Sequence, residues 1–482
     1  MGGEVLRRLA DALDPEGLLT APEQLRTYEC DGLTGHRVIP SAVVLPRSTE
    51  QVSRVVAICH REGIPYVARG AGTGLSGGSL PVANGIVIAL TRMASILAVD
   101  LDNQRVVVQP GVTNLGVTQA IAAQGFYYAP DPSSQQVCTI GGNVAENSGG
   151  AHCLKYGFTT NHVLGATFVC ADGRVARLGG AVLDSPGYDL LGLVVGSEGT
   201  LGIVTELVLR VLPMPEKVST LLAAFASMEA AGAAVSRIIA AGVTPAAIEM
   251  MDRLTIEAAE AAVHANYPVC EAALLVELDG PASECDSLFE QVQRLCRECG
   301  ATEIRVAANP TERGLMWKGR KSAFAAVGRI SPDYYVQDGV IPRTQLAAVL
   351  ARISELQTEY GIRVGNVFHA GDGNLHPLVL YDGAEPGASE RALVVAGRIL
   401  DVCLEAGGSI TGEHGVGSDK ACHMTKMFTA EALTVMDRVR AAFAPTDVCN
   451  PGKVLPTPRL CGEVPGIYRR HPVELAGLAE RM

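Results

Sequence analysis

The sequence predicts an α+β protein of more than one domain, and three observations carry that reading. At 482 residues the chain is longer than one compact core usually serves. Its first half alternates short apolar runs with stretches of helical spacing, and its second half reads as strands and helices in the order of an antiparallel sheet. Hydrophobic residues make up 48% and charged residues 19%, the balance of a well-buried globular chain.

The elements follow in order. MGGEVLRRLADALDPEG has the spacing of an amphipathic helix and lacks the apolar core and cleavage site of a secretion signal. PSAVVLP is a short apolar run. STEQVSRVVAICHREG is a helix behind a Ser48/Thr49 cap, with Glu50 and Gln51 close by. IPYVA, a glycine-rich loop, the β-like GIVIAL and RVVVQPG come next, then a helix–strand passage over 113–131. From about 160 to 212 the pattern is strands again (VLGATFVCADG, LGIVTELVLRVLP), and Pro213 and Pro215 mark a boundary. The Ala-rich stretch 225–262 predicts helix. ALLVELDG and EIRVAA predict strands with a helix over 284–299 between them. The expected domains are therefore 1–213, 214–432 and a C-terminal helical segment, 433–482.

The formal net charge is −12 and no basic tract is present, which argues against nucleic-acid binding. No apolar stretch is long enough to cross a bilayer, since even AAGAAVSRIIAAGV is short and carries Arg237. A soluble chain is expected, reaching a membrane only through a partner. Thirteen scattered cysteines suit reduced thiols in the cytoplasm. Cys296 and Cys299 form a lone CxxC in a helix-like stretch with no second pair, and no run has the spacing of an iron–sulfur ligand set.

Glycines cluster in three loops. RGAGTGLSGGS (Arg69 to Ser79) holds Gly72, Gly74 and Gly77 in GxGxxG spacing, with Asp100 at the end of a later strand-like run. A nicotinamide-binding reading needs a helix straight after the glycines. Here Gly78, Pro81 and Asn84-Gly85 break any helix and a β-like run follows. The loop is better read as backbone amides forming a nest around a pyrophosphate. PDPSSQQVCTIGGNVAENSGG (130–150) and VGSEGTLGIVTE (195–206) repeat that chemistry, and three such loops suit a long cofactor lying in a groove.

PRSTEQV, RGAGTGLSGGS, PDPSS, TIGGNVAENSGG and GSEGTLG together resemble the FAD-binding domain of the vanillyl-alcohol-oxidase and p-cresol-methylhydroxylase type, over residues 40–210. The resemblance implies that Arg69, Gly70, Gly72, Thr73, Gly74, Ser76, Gly77, Gly78 and Ser79 wrap the cofactor. It implies the same for Pro130, Asp131, Thr139, Gly141, Gly142, Asn143, Asn147 and Gly149, with Glu198, Gly199 and Ile203 contributing from the third loop. Some members attach FAD through a histidine in the first loop. Thr73 stands near that point and the loop has no His or Cys, so non-covalent FAD is expected.

FHAGDGNLHPLVL offers His369 and His376 with Asp372 and Asn374 between them. On a straight strand an offset of seven puts the histidines on opposite faces, but Gly371 and Gly373 can bend the chain. TGEHGVGSDK adds Glu413 and His414. Two imidazoles and one carboxylate are a common divalent-metal set, zinc, manganese or iron, with open positions; polar turn residues of unrelated roles are the alternative. His414 is the natural general base, since imidazole titrates near working pH.

HxGDGNxH, GEHGxG and NPGK (Asn450 to Lys453) resemble the C-terminal domain of FAD-linked 2-hydroxy acid dehydrogenases, an α+β substrate domain on an antiparallel sheet. WKGRKSAFAAVGRISPDYYVQDGVIPR is similar to the FAD-linked subunits of bacterial glycolate oxidases. These resemblances imply that His369, His376 and Glu413 bind metal, His414 is the base and Asn450 lies near the flavin. They imply that Arg320 grips the substrate carboxylate, a task for a planar bidentate donor; a surface salt bridge is the alternative. Relatives that oxidise hydroxyglutarate carry a Thr and a Lys for a second carboxylate near the points where Phe324 and Val336 stand here, which favours a short substrate. The implied reaction is hydride transfer from a small D-2-hydroxy acid, glycolate first and D-lactate second, to flavin N5. The implied partners are a second flavin-domain-like subunit and an iron–sulfur subunit, placing the chain in the cytoplasm or at the periphery of the inner membrane. A non-catalytic flavin relay is the remaining alternative.

Overall fold

A computed structural model describes residues 1–182 and 186–456 of the chain. It divides into two compact units. The first gathers Met1–Ser148, Phe158–Pro213 and the described residues from Glu413 onward; the second gathers Gly149–Gly157 and Met214–Gly412.

Besides a two-stranded pair, Phe126–Tyr127 with Leu212–Pro213, the first unit is built on two main sheets. In the smaller one the strands run Leu18–Leu19, Ala42–Val44, Ile86–Ala89, Tyr66–Arg69, and the last three are parallel. Parallel neighbours need a crossover, and the helix Thr49–Glu62 supplies one. Ser48 caps it by accepting from Gln51 N–H, Gly63 ends it in the left-handed conformation, and Val52, Val55, Val56 and Cys59 bury one stripe against the strands. The larger sheet is antiparallel, in the order Ile96–Asp100, Arg105–Val108, Gly202–Arg210, Val163–Cys170, Val175–Gly179. No helix follows the first glycine loop, which runs straight to the strand Ile86–Ala89.

The second unit is an eight-stranded sheet whose pairs are all antiparallel. Its order is Ala301–Val306, Lys217–Phe225, Ala272–Gly280, Ala247–Asp252, Val364–His369, Asn374–Tyr381, Asp333–Val336, with Gly339–Val340 also on Asn374–Tyr381. Ala247, Met251, Ala273, Leu275, Val367 and Leu378 meet Ile256, Trp317 and Ala323 in one buried cluster. One face of the sheet is thereby covered by the helices Arg253–Val263 and Pro310–Val327.

Two expectations need correction. The stretch 225–262 is not one helical region: a strand, Ala247–Asp252, separates the helices Met228–Ala240 and Arg253–Val263. AIEMMD is rich in helix formers, but as a central strand buried on both faces it shows no alternation, so tertiary burial overrides propensity. The boundary expected at 432 lies instead at 412. Residues 413–432 cluster with the first unit because Val416 and Gly417 donate to Glu198, and Ser418 and Asp419 donate to Ser76 O. The helix expected in the final segment spans Ala430–Phe443, and residues 457–482 lie outside the described residues.

Glu277 holds the second unit together at one point. The carboxylate is 1% exposed and accepts from Arg313 Nε and Nη2 at 2.8 and 2.7 Å, Trp317 Nε1 at 2.7 Å and Thr220 Oγ1 at 2.6 Å. His152 Nε2, from the short segment Gly149–Gly157, lies 3.3 Å away. Burial alone would raise this carboxyl, but the hydrogen bonds from His152 and Arg313 outweigh it and hold it well below the usual carboxylate range. A group held low contributes stability that is complete above its unfolded value and is lost as pH falls below that value toward its folded one. Glu277→Ala should cost about 3–5 kcal/mol, because it strands Arg313 and the indole N–H. Denaturant midpoints should show the wild type losing this advantage over the variant below about pH 4.

Candidate active site

The first glycine loop, from Gly70 to Ser79, joins the strands Tyr66–Arg69 and Ile86–Ala89. Tight packing explains some of its glycines. A Cβ at Gly70 would sit 2.2 Å from Thr139 Oγ1, and one at Gly72 would sit 2.2 Å from Arg69 Nη2. Gly74 and Gly199 differ, since nothing comes nearer than 3.8 Å to a Cβ built on either, leaving room for a ligand.

Several side chains expected around the cofactor are engaged inside the protein. Arg69 Nη1 donates to Cys30 O at 2.7 Å. Ser79 Oγ donates to Asp31 Oδ2 at 3.4 Å. Thr139 caps the helix Ile140–Glu146 by accepting from Gly142 N–H. Asn143 Oδ1 accepts from Asn114 Nδ2 at 3.1 Å, and the same Nδ2 reaches Pro130 O at 3.0 Å. Asn147 ends that helix at φ 51° and its Oδ1 accepts from Thr160 N–H. Gly141 packs against Pro110, and Ile203 is 2% exposed in the core. Their contribution to a cofactor site reduces to backbone and shape. Gly149 lies in the second unit.

The C-terminal segment builds the other wall within the first unit. Tyr66 N–H donates to Val448 O and Asn450 N–H to Tyr66 O, each at 2.8 Å, so residues 448–450 bridge in parallel alongside the strand that feeds the glycine loop. Asn450 Nδ2 then reaches Gly78 O at 2.9 Å and Glu198 O at 2.6 Å. Lys453 Nζ donates to Gly77 O at 2.6 Å and Leu80 O at 2.9 Å. Asn450 Oδ1 and Ser76 Oγ are buried and carry no hydrogen bond among the described residues. Orphaned polar atoms beside open glycines fit a polar cofactor such as FAD.

Two acids sit behind these loops, Glu198 buried and Glu146 half-buried. Glu198, at φ 53°, accepts from Val416 N–H at 2.6 Å and Gly417 N–H at 2.7 Å. Glu146 Oε2 has no hydrogen-bond partner among the described residues. Burial raises both carboxyls, and the proximity of Glu198 raises Glu146 further; the two N–H donors make Glu198 the more acidic of the pair. Lys453 is pushed down to about 8 by burial, against the pull of Asp31, Glu198 and Glu146.

The second unit brings the two histidines together by register. His369 and Asn374 face each other across a hairpin, as do Val367 and His376, so the histidines are diagonal neighbours on one face. Their ring centroids are 5.0 Å apart and perpendicular. Gly373 makes the turn possible: its φ is +83° and a Cβ would lie 2.1 Å from Ile341 O. Glu249 stands opposite His369 on the next strand, and Phe324 packs 5.9 Å from the His376 ring.

Arg320 is 4% exposed, which removes the surface salt bridge. Its Nη2 forms an ion pair with Glu249 Oε2 at 2.5 Å, but neither Nη2 nor the buried Nε makes a well-aligned hydrogen bond among the described residues. A buried guanidinium with an unspent donor fits a carboxylate ligand. Sequence reasoning missed Glu249, hidden in a stretch read as helix, and Asp338. Asp338 is fully buried, with Oδ1 on Asn374 Nδ2 at 2.8 Å and 3.8 Å from His376 Nδ1. Its Oδ2 holds Thr411 Oγ1 at 2.6 Å and Gly412 N–H at 3.0 Å. Glu413 and His414 open the third segment of the first unit, with His414 Nε2 3.8 Å from Glu413 Oε1.

Comparisons with known proteins identify the family and the fold. Residues 214–454 match the C-terminal domain of FAD-linked oxidases, and residues 40–179 match an FAD-binding domain. Glycolate oxidase subunit GlcD of Escherichia coli is 50% identical over 97% of this chain and 94% of its own. The Bacillus subtilis subunit of the same name is 38% identical over 94% and 96%. A D-lactate dehydrogenase of Anaerostipes hadrus is 34% identical over 86% and 89%. Among solved structures, p-cresol methylhydroxylase superposes with a TM-score of 0.80 at 18% identity, covering 94% of this chain and 96% of that one.

Glu198→Gln tests the loop architecture. It turns an acceptor into a donor facing Val416 or Gly417 N–H, and the clash should lower unfolding stability by about 1–3 kcal/mol. Titration of the apoprotein with FAD should show weaker binding, because residues 416–417 lose their anchor beside the glycine loop.

Proposed function

Because the chain belongs to the FAD-linked oxidases, we propose that it oxidises a small D-2-hydroxy acid, glycolate to glyoxylate, as the catalytic subunit of a larger assembly. The observation that carries this reading is Arg320, buried in the second unit with an unspent Nε donor beside the Glu249–His369 pair. The names of the glycolate oxidase relatives support the substrate, and Phe324 against His376 supports a short one. The D-lactate dehydrogenase relative favours D-lactate as the second reading.

The residues divide the work. Arg320 holds the substrate carboxylate through its guanidinium edge. His414 takes the proton of the substrate hydroxyl onto its imidazole. His369, His376 and Glu413 hold a divalent cation, zinc, manganese or iron. The adjacent imidazoles support this, as does Asp338, whose grip on Gly412 N–H fixes the peptide one residue before Glu413. Bound FAD supplies the two-electron acceptor, and the cation supplies Lewis acidity at the hydroxyl oxygen. The loop from Arg69 to Ser79 offers Thr73 and no His or Cys, which supports non-covalent FAD.

The word "subunit" in the relatives' names supports a multi-subunit enzyme. Its partners, on this reading, are a second flavin-domain-like chain and an iron–sulfur chain that passes electrons onward. No helix among the described residues is long and apolar enough to cross a membrane, and we infer a cytoplasmic protein that meets the inner membrane through those partners.

Anaerobic addition of glycolate should bleach the flavin, with D-lactate slower; no bleaching by either would leave only a relay role. Arg320→Lys should lower kcat/KM by roughly ten- to a hundredfold, the value of a charged hydrogen bond lost. Preference for D-2-hydroxyglutarate over glycolate and D-lactate would overturn the short-substrate assignment. Acid precipitation should release intact FAD into the supernatant, and flavin kept in the pellet would mean a covalent link.

A further inference from the structure

Glu249 faces two groups with one carboxylate, the His369 imidazole by hydrogen bond and the Arg320 guanidinium by ion pair. Its Oε1 and Oε2 lie 2.8 and 3.0 Å from His369 Nδ1, and Oε2 lies 2.5 Å from Arg320 Nη2. The side chains are withdrawn from water, Glu249 at 1%, Arg320 at 5% and His369 at 13% exposure. Rigid elements set the geometry. Glu249 and His369 are register partners on adjacent strands, and Arg320 is carried by the helix Pro310–Val327, which covers that face of the sheet.

A carboxylate accepts and does not donate, so the hydrogen between Glu249 and His369 sits on Nδ1. The other ring nitrogen, Nε2, then presents its lone pair. Histidines that ligate metals are held in this way, with the far N–H on a carboxylate that fixes tautomer and ring orientation. We propose that Glu249 is a positioning residue that sets the tautomer of His369 and the aim of Arg320 together, coupling grip on the metal to recognition of the substrate carboxylate. The metal half rests on the function proposed above; the tautomer half rests only on the geometry of the second unit. A simple counter-ion to Arg320 would do neither job for His369.

The coupling has a chemical reason. The substrate's carboxylate and hydroxyl sit on adjacent carbons, so the groups that receive them must keep a fixed spacing. Joining Arg320 and His369 through one buried carboxylate fixes that spacing without relying on a loop.

The test uses the full-length holoenzyme and its metal-stripped form. Long-range 15N–1H spectra of 15N-histidine protein, with His369 identified by its loss in His369→Gln, should show the Nδ1–H tautomer in metal-stripped wild type. An Nε2–H tautomer there overturns the proposal with no Glu249 variant needed. In Glu249→Gln the amide keeps one acceptor and loses the charge that faces Arg320. The tautomer should shift, the dissociation constant for added Zn2+ or Mn2+ should rise roughly ten- to a hundredfold, and KM for glycolate should rise together with a fall in kcat. Glu249→Asp, which keeps the charge, should recover part of the metal affinity. Unchanged tautomer and metal affinity in Glu249→Gln would reduce Glu249 to a counter-ion and overturn the proposal. A wild type that binds no metal refutes the metal reading alone, and the tautomer measurement still decides the role of Glu249.

Discussion

Carboxylates placed under one helix organise the second unit. Arg313, Trp317 and Arg320 follow at i, i+4 and i+7 on the helix Pro310–Val327, so they share a face. Beneath them Glu277 and Glu249 lie on adjacent strands, Glu277 opposite Ala247 and Glu249 two residues further along. Glu277 takes Arg313 and Trp317, and Glu249 takes Arg320. Burying a carboxylate costs several kcal/mol unless its oxygens are matched, so the helix cannot slide or rotate without exposing both acids to the core unpaired. The placement of the proposed substrate-binding guanidinium thus follows from a constraint on stability. Such a residue does not depend on ligand binding to find its position.

The first unit treats buried charge differently. Glu198 is close enough to raise Glu146, and only Glu198 is matched with backbone N–H donors. Lys453 and Lys420 offset the excess negative charge, with Lys453 itself spent on two carbonyls of the glycine loop. The C-terminal loop therefore does mechanical work far from its place in the sequence. It bridges in parallel alongside the strand Tyr66–Arg69 through residues 448–450 and closes on Gly77, Gly78 and Leu80. A chain that leaves the first unit at Met214 returns at Glu413 to complete it.

That discontinuity explains which parts were legible in the sequence. The Ser48 cap before TEQ and a glycine run with no helix behind it were legible because they impose local chemistry, whereas the helix Ile140–Glu146 lay hidden in a stretch read as a glycine loop. His369 and His376 were legible as a pair from composition, but their shared face depends on a hairpin register that an offset of seven does not reveal. Glu249 was hidden because its strand, Ala247–Asp252, lies between two Ala-rich helices and is itself made of helix-forming residues. Asp338 was hidden because nothing local marks an acid in VQDGV as the anchor for Asn374, Thr411 and Gly412. In each hidden case the signal lies in residues more than thirty positions away, which pattern reading along the chain does not reach.

The two missed acids also show why the visible motifs have their spacing. HxGDGNxH needs its Asn374 to give Asp338 an amide donor, and TGE needs its Thr411 and Gly412 to give the same acid a hydroxyl and a backbone N–H. The two motifs are separated by the long helix Ala388–Glu405, yet one buried carboxylate ties both. Gly412 suits this contact, since a Cβ there would lie 2.4 Å from Asn374 Nδ2. A side chain at 412 would push Asn374 off Asp338 and loosen the turn that sets His376. The glycines and the asparagine of these motifs thus hold the imidazoles and carboxylates in place, through contacts that are buried and hydrogen-bonded.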